Sequence, residues 1–560
     1  MKKSTLWIVV AALIIGAAAA AFIFSSNAKK GPKAETMPFV CYVDLGQLAQ
    51  KGALNEFITA ENRSLIGSVL SSEFDNSKDA NKVKSIIKDF DEMGIDTQSP
   101  IYGYLNEEFT NFIVVAKVLD IERVESTLSF VSNLSGVVAD IRKEDGIYSL
   151  DYDEVAVAYD ESMIAIALGE EETSLRAAKE AVERSYMDIS IFGNTDIAML
   201  ANIDNIKKCV YDWISDERAD LKEMYDEGYI NREQFMAESE SWTELSGMID
   251  SYAQYFEENA NVLISTTFDD GRMTVAYEAN GINNTWCDGA LKPVNMDHLE
   301  NLSKDAYAVL SMGIAGEKMS EYVRNILDNE ALSDLGIAFS AEERIAISIG
   351  CDAIETIDGS VTLALDNIDG DIVTKYDYYW DEYNDEPSIE SVDALLLADV
   401  TDNYIIANIA QFAGDYLDKV DATHYAYSIM DYNITMGQDD NLFHIGVNML
   451  PKAKASSALD AEWAKDIKDS YSYLVFNVDA FMDGRFMTAI NQYIEENMTR
   501  NERKIYRQAT DMVSYIYVAA DSYESSKFVV VFDDKKTNAL KQINTLVLPA
   551  LINECMDSLY

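Results

Sequence analysis

Short runs in which apolar residues fill four or five consecutive positions, stop at a polar residue and pass into a helical pattern recur along this chain. The first is Phe39-Val-Cys-Tyr-Val-Asp-Leu-Gly-Gln-Leu-Ala-Gln-Lys51. Similar openers stand at Ala198–Ile206, Ala306–Ile314, Ala394–Asp402 and Tyr473–Asp479. Each predicts a strand followed by a helix, because continuous apolar residues suit a strand buried on both faces and the 3.6-residue period suits a helix buried on one. Alternating pairs of runs predict hairpins at Ile101–Leu105 with Phe112–Val118, at Val262–Phe268 with Met273–Tyr277, and at Tyr432–Gly437 with Leu442–Leu450. Asp269-Asp-Gly271 supplies a turn signal for the second of these. Helices are predicted over Ile121–Ser132, Glu171–Arg184, Lys318–Leu327, Phe481–Glu495 and Arg500–Ala509. A long helical stretch, Ile206–Asn259, breaks near Gly228, where Asn231-Arg-Glu-Gln234 has the pattern of a capping box. Ile345–Ile349 and Val361–Leu365 have strand character.

The expected architecture is α+β: repeated strand–helix–hairpin modules with antiparallel sheets, from internal duplication with large insertions. From the first opener to Leu150 the order is strand, helix, two strands, helix, strand, which is the ferredoxin-like order. A polar segment at Asn280–Pro293 marks the main boundary and gives residues 34–285 and 286–560 as two α+β halves, behind an N-terminal segment at 1–33.

Composition adds that this is a folded, non-nucleic-acid protein. Hydrophobic residues make up 48% of its 560 residues, while 97 Asp+Glu against 44 Lys+Arg give a net charge of −53. A field of that sign repels phosphate backbones and anionic lipid surfaces. The N-terminal segment holds Lys2 and Lys3 and then an apolar run, Leu6–Phe24. That run is near the ~20 residues a spanning helix needs and longer than a usual signal h-region. A membrane anchor is the first reading, a signal helix cleaved after Ser26-Asn-Ala28 the second, and both make the acidic region an exported one. Five scattered cysteines, with no C-x-x-C, give no disulfide framework or metal spacing.

Candidate chemistry is sparse. Asp44, Asp204, Asp402 and Asp479 stand at strand-to-helix junctions, where helix N-capping accounts for their position and residue type. Asp366, Asp369 and Asp371, in Asp366-Asn-Ile-Asp-Gly-Asp371, are the candidate calcium ligands, with Asp377, Asp381 and Asp385 beyond them; an EF-hand's spacing is missing. The acidic aromatic stretch Asp377–Pro387 is expected to be a loop able to stack on sugar rings or a partner. His298, His424 and His444 are far apart in sequence and lack H-E-x-x-H spacing, which argues against a zinc site. No nucleophile elbow, phosphate loop or dinucleotide turn occurs, so no catalytic or cofactor-binding residue is assigned. Paired carboxylates acting on a glycan remain open.

Pro38-Phe-Val-Cys-Tyr-Val-Asp-Leu-Gly-Gln-Leu-Ala-Gln-Lys-Gly-Ala-Leu54 resembles the opening of an uncharacterised envelope-protein family of Bacteroides-type bacteria, domain-of-unknown-function family forty-eight thirty-six. Met93-Gly-Ile-Asp-Thr-Gln-Ser-Pro-Ile-Tyr102, Leu291-Lys-Pro293 with Ala306–Ser311, and Ile357–Leu365 are similar to later segments of that family. The resemblance implies an exported, envelope-attached protein, often a lipoprotein, with no established activity or site residues. No lipid-accepting Cys follows Leu6–Phe24, so that segment is the expected anchor. The function expected is binding or scaffolding of an envelope protein or glycan, with a carboxylate-based hydrolase or a calcium-stabilised adhesin as alternatives.

Overall fold

The computed structural model describes residues 33–557, apart from 73–76, 109, 136–140, 153–154, 170, 185, 254, 284–288, 328–338, 378–381, 414–415, 430–431 and 497. Leu6–Phe24 lies outside the described residues. Among the described residues no helix is long and apolar enough to cross a membrane.

Contacts divide the chain into two units, the first comprising the described residues up to Ile282 together with those from Asp534 onward, the second Asn283–Asp533. The expected second half thus gives up its last helix, Ala539–Asp557, to the first unit. The contacts responsible are long in sequence. Asn544 Nδ2 donates to the Gly52 carbonyl at 2.9 Å, Asn538 Nδ2 donates to the Phe268 carbonyl at 2.7 Å, and Lys541 pairs with Glu56 at 2.7 Å.

In the first unit the strands are β1 (Phe39–Val43), β2 (Ile101–Leu105), β3 (Asn111–Lys117), β4 (Arg142–Glu144), β5 (Ile147–Tyr152), β6 (Val155–Tyr159), β7 (Met163–Gly169), β8 (Ile197–Asn202), β9 (Phe256–Asp269) and β10 (Arg272–Ile282). Their spatial order is β4-β5-β6-β7-β3-β2-β1-β8-β9-β10, with every pairing antiparallel. The second unit holds β11 (Ala308–Ala315), β12 (Ile357–Asp377), β13 (Glu382–Val400), β14 (Asp418–Lys419), β15 (His424–Ile429), β16 (Tyr432–Asp439), β17 (Leu442–Val447), β18 (Ser472–Asn477), β19 (Val513–Ala520) and β20 (Ser525–Phe532). These are ordered β14-β15-β16-β17-β13-β12-β11-β18-β19-β20, again all antiparallel. The second sheet repeats the first strand for strand.

This order sharpens the expected duplication and corrects its details. Within each unit two strand–helix–hairpin modules meet through their opening strands, β1 with β8 and β11 with β18. Ala394–Asp402 is not an opener: most of it is the end of β13, the exit strand of a hairpin. The ferredoxin-like reading also gives way. In that arrangement a helix crosses over between parallel strands, whereas β1 pairs directly with β2 in antiparallel fashion, Cys41 opposite Gly103. The same linear order of elements is compatible with both pairings.

Caps set the helix starts. Asp44 accepts from the Gln47 N–H at 2.9 Å, and Asn231 and Gln234 exchange reciprocal bonds of 3.0 and 3.1 Å. In the openers at β8 and β18 the cap is Asn202 or Asn477, two residues before the expected aspartate. Asp204 and Asp479 instead sit in the first turn, where negative charge suits the helix dipole. Asp402 accepts from the Tyr404 N–H at 2.8 Å. Ile345–Ile349, expected as a strand, belongs to the helix Ala341–Glu355, which starts at a capping box between Ser340 and Glu343. The five-residue apolar alternation was too short to outweigh that cap.

The first core lies under the centre of its sheet, where Val40, Tyr42, Tyr102 and Leu200 pack against the alanine-rich helix Glu171–Glu183. In the second unit Val309, Leu397, Tyr473, Val475 and Tyr517 pack against short 3-10 segments carrying Leu299, Ala458 and Trp463.

Candidate functional site

Alternation along the second sheet puts one residue of each pair into the core and the next on the opposite face. Val309, Tyr473, Tyr517 and Val529 are buried. Their neighbours Leu310, Leu474, Val518 and Phe528 face outward. The register places Leu363, Leu310, Leu474, Val518 and Phe528 directly opposite one another, one per strand across β12, β11, β18, β19 and β20. They are 51, 45, 45, 41 and 38% exposed. An antiparallel sheet with one face in water ordinarily carries polar residues there. These five residues instead form a contiguous apolar row on that face.

An open cleft of about 760 Å³ forms elsewhere on this unit, bounded by Asp305, Asp366, Asp460, Glu462, Asp479 and Asp483 with Tyr307 and Trp463. Ser514 Oγ donates to Asp479 at 2.7 Å, and Tyr307 Oη donates to Asn367 Oδ1 at 2.9 Å. The Trp463 Nε1–H is buried without an acceptor. Such a lining is suited to a cationic or hydroxyl-rich group.

Of the calcium candidates, Asp366 borders this cleft, but Asp366, Asp369 and Asp371 are strand residues of β12 and not a ligand loop. Asp366 accepts the Ser303 N–H at 2.8 Å and faces Lys454 Nζ at 3.6 Å. Asp369 pairs with Arg485 at 3.2 Å, and Asp371 accepts the Ile372 N–H at 2.8 Å. Two of the three carboxylates therefore already face a protein cation. Gly370 does not make a turn; a Cβ there would lie 2.4 Å from the Ser388 carbonyl of the neighbouring strand. Of the stretch expected as an aromatic loop, Asp377 and Glu382–Pro387 are strand residues of the β12–β13 hairpin, with Asp377 opposite Glu382, and residues 378–381 lie outside the described residues. The side chains of Asp377 and Asp385 lie outside the described set as well.

The histidines, by contrast, acquire distinct roles from the fold. His298 is 2% exposed, and both ring nitrogens are engaged: Nε2 with Asp399 Oδ1 at 3.0 Å and Nδ1 with Thr362 Oγ1 at 2.8 Å. Thr362 in turn meets Ser311 Oγ at 2.8 Å. Burial alone would raise the Asp399 carboxyl; hydrogen bonds from His298 and the Ser360 N–H outweigh it and hold the group below the usual range. The chain Asp–His–Thr–Ser has the connectivity of a nucleophilic relay. Both hydroxyls are wholly buried, so no substrate carbonyl can reach them and the relay is a structural network.

His424 and His444, twenty residues apart, stand two strands apart with their ring centroids 5.6 Å from each other. Both are opposite Gly437, on β15 and β17 respectively. Neighbouring strands are ~4.8 Å apart, so positions two strands away are ~10 Å apart at the backbone. The His424 ring leans across the glycine, where a Cβ would lie 2.2 Å from His424 Cδ2. His424 Nδ1 is held by Asp421 at 2.9 Å, and its Nε2 faces Asp439 Oδ1 at 3.4 Å. His444 is 1% exposed, and neither of its ring nitrogens has a hydrogen-bond partner. Burial pushes its imidazole below the ordinary pKa, towards the neutral form. Sequence spacing gave no sign of this meeting.

The family model for a domain of unknown function, DUF4836, matches residues 32–540. The chain belongs to that family. No curated protein matches. Crystal form III of TP0453 is similar at 9% identity over 46% of this chain and 82% of that one, with a TM-score of 0.22. Crystal form I gives 11% identity, 45% and 80% coverage, and a TM-score of 0.20. Likenesses of that size carry no argument about this DUF4836 chain.

Proposed function

We propose that this protein is a non-enzymatic binding or scaffolding protein of the cell envelope, attached to the membrane through Leu6–Phe24. The observation that carries this reading is the apolar row Leu363–Leu310–Leu474–Val518–Phe528. Its five partly exposed side chains run unbroken across five strands of the second sheet, and a contiguous apolar patch of this kind favours a partner surface. The acidic cleft is a second surface on the same unit, and its carboxylates suit a cationic peptide or a hydroxyl-rich glycan. The expected partner is an envelope protein or glycan; the charge of −53 argues against nucleic acid.

The test compares in-cell crosslinking of the tagged native protein with that of a Leu310→Glu/Leu474→Glu variant, after membrane fractionation. Both side chains are exposed, so the variant is expected to fold and to reach the membrane fraction. Loss of a reproducible crosslinked envelope partner is the expected result. An unchanged partner set would remove the face from the proposal, and turnover of a glycan or ester by the purified full chain would overturn the non-enzymatic reading.

A further inference from the structure

We propose that His424, Asp439 and His444 form a binding site for a transition-metal ion of the zinc(II) class. One potential ligand atom from each residue lies within 4.8 Å of the others, a spacing that small side-chain movements close onto an ion at 2.0–2.2 Å from imidazole nitrogen and carboxylate oxygen. Two imidazoles and a carboxylate are a borderline-soft donor set that suits zinc rather than calcium, whose ligands are oxygens.

Three features point to a ligand here. The first is the orphaned His444. A buried imidazole without a hydrogen bond is costly, and its ring centroid lies 5.6 Å from that of His424. The second is the orientation of His424. Asp421 Oδ1 accepts the Nδ1–H, which leaves Nε2 as the atom facing Asp439. A lone pair and a carboxylate repel, so this approach is favourable only with a cation at Nε2, either a proton or a metal ion. The Asp421–His424 bond is also the carboxylate–histidine arrangement that fixes metal-binding imidazoles. The third is Gly437, whose missing side chain leaves the space that the His424 ring occupies on the strand between the two histidines.

The site is open on one side, since Asp439 ends β16 and its side chain is 66% exposed. Three protein ligands leave a fourth position for water. Bound metal would tie β15 to β17 across β16. This inference does not rest on the apolar face or on the envelope reading.

The test uses the full chain purified in detergent and stripped with chelator, titrated with Co(II) followed by visible absorption and with Zn(II) by calorimetry. One saturable equivalent per chain is expected, with the ligand-field bands of a four-coordinate Co(II) ion and a raised melting temperature in Zn(II). His444→Leu and Asp439→Asn should each lose that equivalent, and Asp421→Asn should weaken it about tenfold or more. Asp439 is exposed, so its variant keeps the test valid if His444→Leu fails to fold. Absence of a saturable equivalent in the native chain overturns the proposal, as does an equivalent that survives Asp439→Asn. Proton occupancy alone would give the first of these outcomes.

Discussion

Two buried histidines in the second unit sit in opposite circumstances. His298 spends both nitrogens on Asp399 and Thr362, and Ser311 extends the chain. His444 is as deeply buried and spends neither. The difference teaches which polar group is part of the scaffold and which is available. A satisfied buried network rigidifies a core and loses stability when any member is removed. An orphaned buried group costs stability as it stands, and a bound ion is one of the ways that cost is offset.

The largest expected effect is at the satisfied site. His298→Leu strips the half-buried Asp399 and the fully buried Thr362 of their partner and should destabilise the second unit by about 3 kcal/mol, because a charge-assisted hydrogen bond is lost and a buried hydroxyl loses one of its partners. Denaturant unfolding measures it; a change under about 0.5 kcal/mol would break the contrast, since surface substitutions give that much.

Asp399→Asn should cost about 2 kcal/mol at neutral pH, the scale of a charge-assisted hydrogen bond. The native carboxyl is held below its usual range, so its contribution is present above the unfolded value near 3.9 and is lost as pH falls through the lower native one. The gap between native and variant proteins should therefore narrow below about pH 4, given that reference value. A gap constant down to pH 2 would show that the charge is not what matters.

Gly437→Ala tests the unsatisfied site. Its Cβ, 2.2 Å from His424 Cδ2, must push the ring aside. The expected cost is about 1 kcal/mol of overpacking together with loss of the Co(II) equivalent. Retention of that equivalent would mean the rings can meet without the glycine.

The smallest effect is expected from His444→Leu in metal-free protein, within about 1 kcal/mol of the native chain and on either side of it, because replacing an unpartnered polar group by an apolar one removes a desolvation cost. Thermal unfolding in chelator should show this. In Zn(II) the native chain should gain stability and the variant should not. A loss as large as that of His298→Leu in chelator would mean His444 has scaffold partners after all.

What was legible along the chain was local. Strand openers, the Asp269–Gly271 hairpin, the Asn231–Gln234 cap and most helix spans follow from side-chain periodicity and from bonds between residues two to four apart. Where local signals competed, as at Ile345–Ile349, the capping box prevailed. The repeated use of strand–helix–hairpin was visible as recurrence. That it amounts to two sheets of identical strand order was not, because the openers β1 and β8 are separated by more than 150 residues and nothing in either states its partner.

The site was the least legible part. The acidic run Asp366–Asp371 reads along the chain as a set of candidate calcium ligands, yet its neighbours in space include Ser303, Lys454 and Arg485. The spacing of His298, His424 and His444 argued against a metal site, yet two of them meet over Gly437.

The sequence by itself determined the composition-level facts and the local elements: an acidic, folded α+β chain, an apolar Leu6–Phe24 segment, where strands and helices begin, and membership in a family through its opening motif. Only the tertiary structure decided which strands are neighbours, which unit takes the last helix, which sheet face stays apolar and open, and which histidine is left unpartnered. The physical reason is that hydrogen-bond register joins backbones distant in sequence. Two residues twenty positions apart become neighbours only when the strand between them is in place, and the missing Cβ of Gly437 leaves room there for the His424 ring.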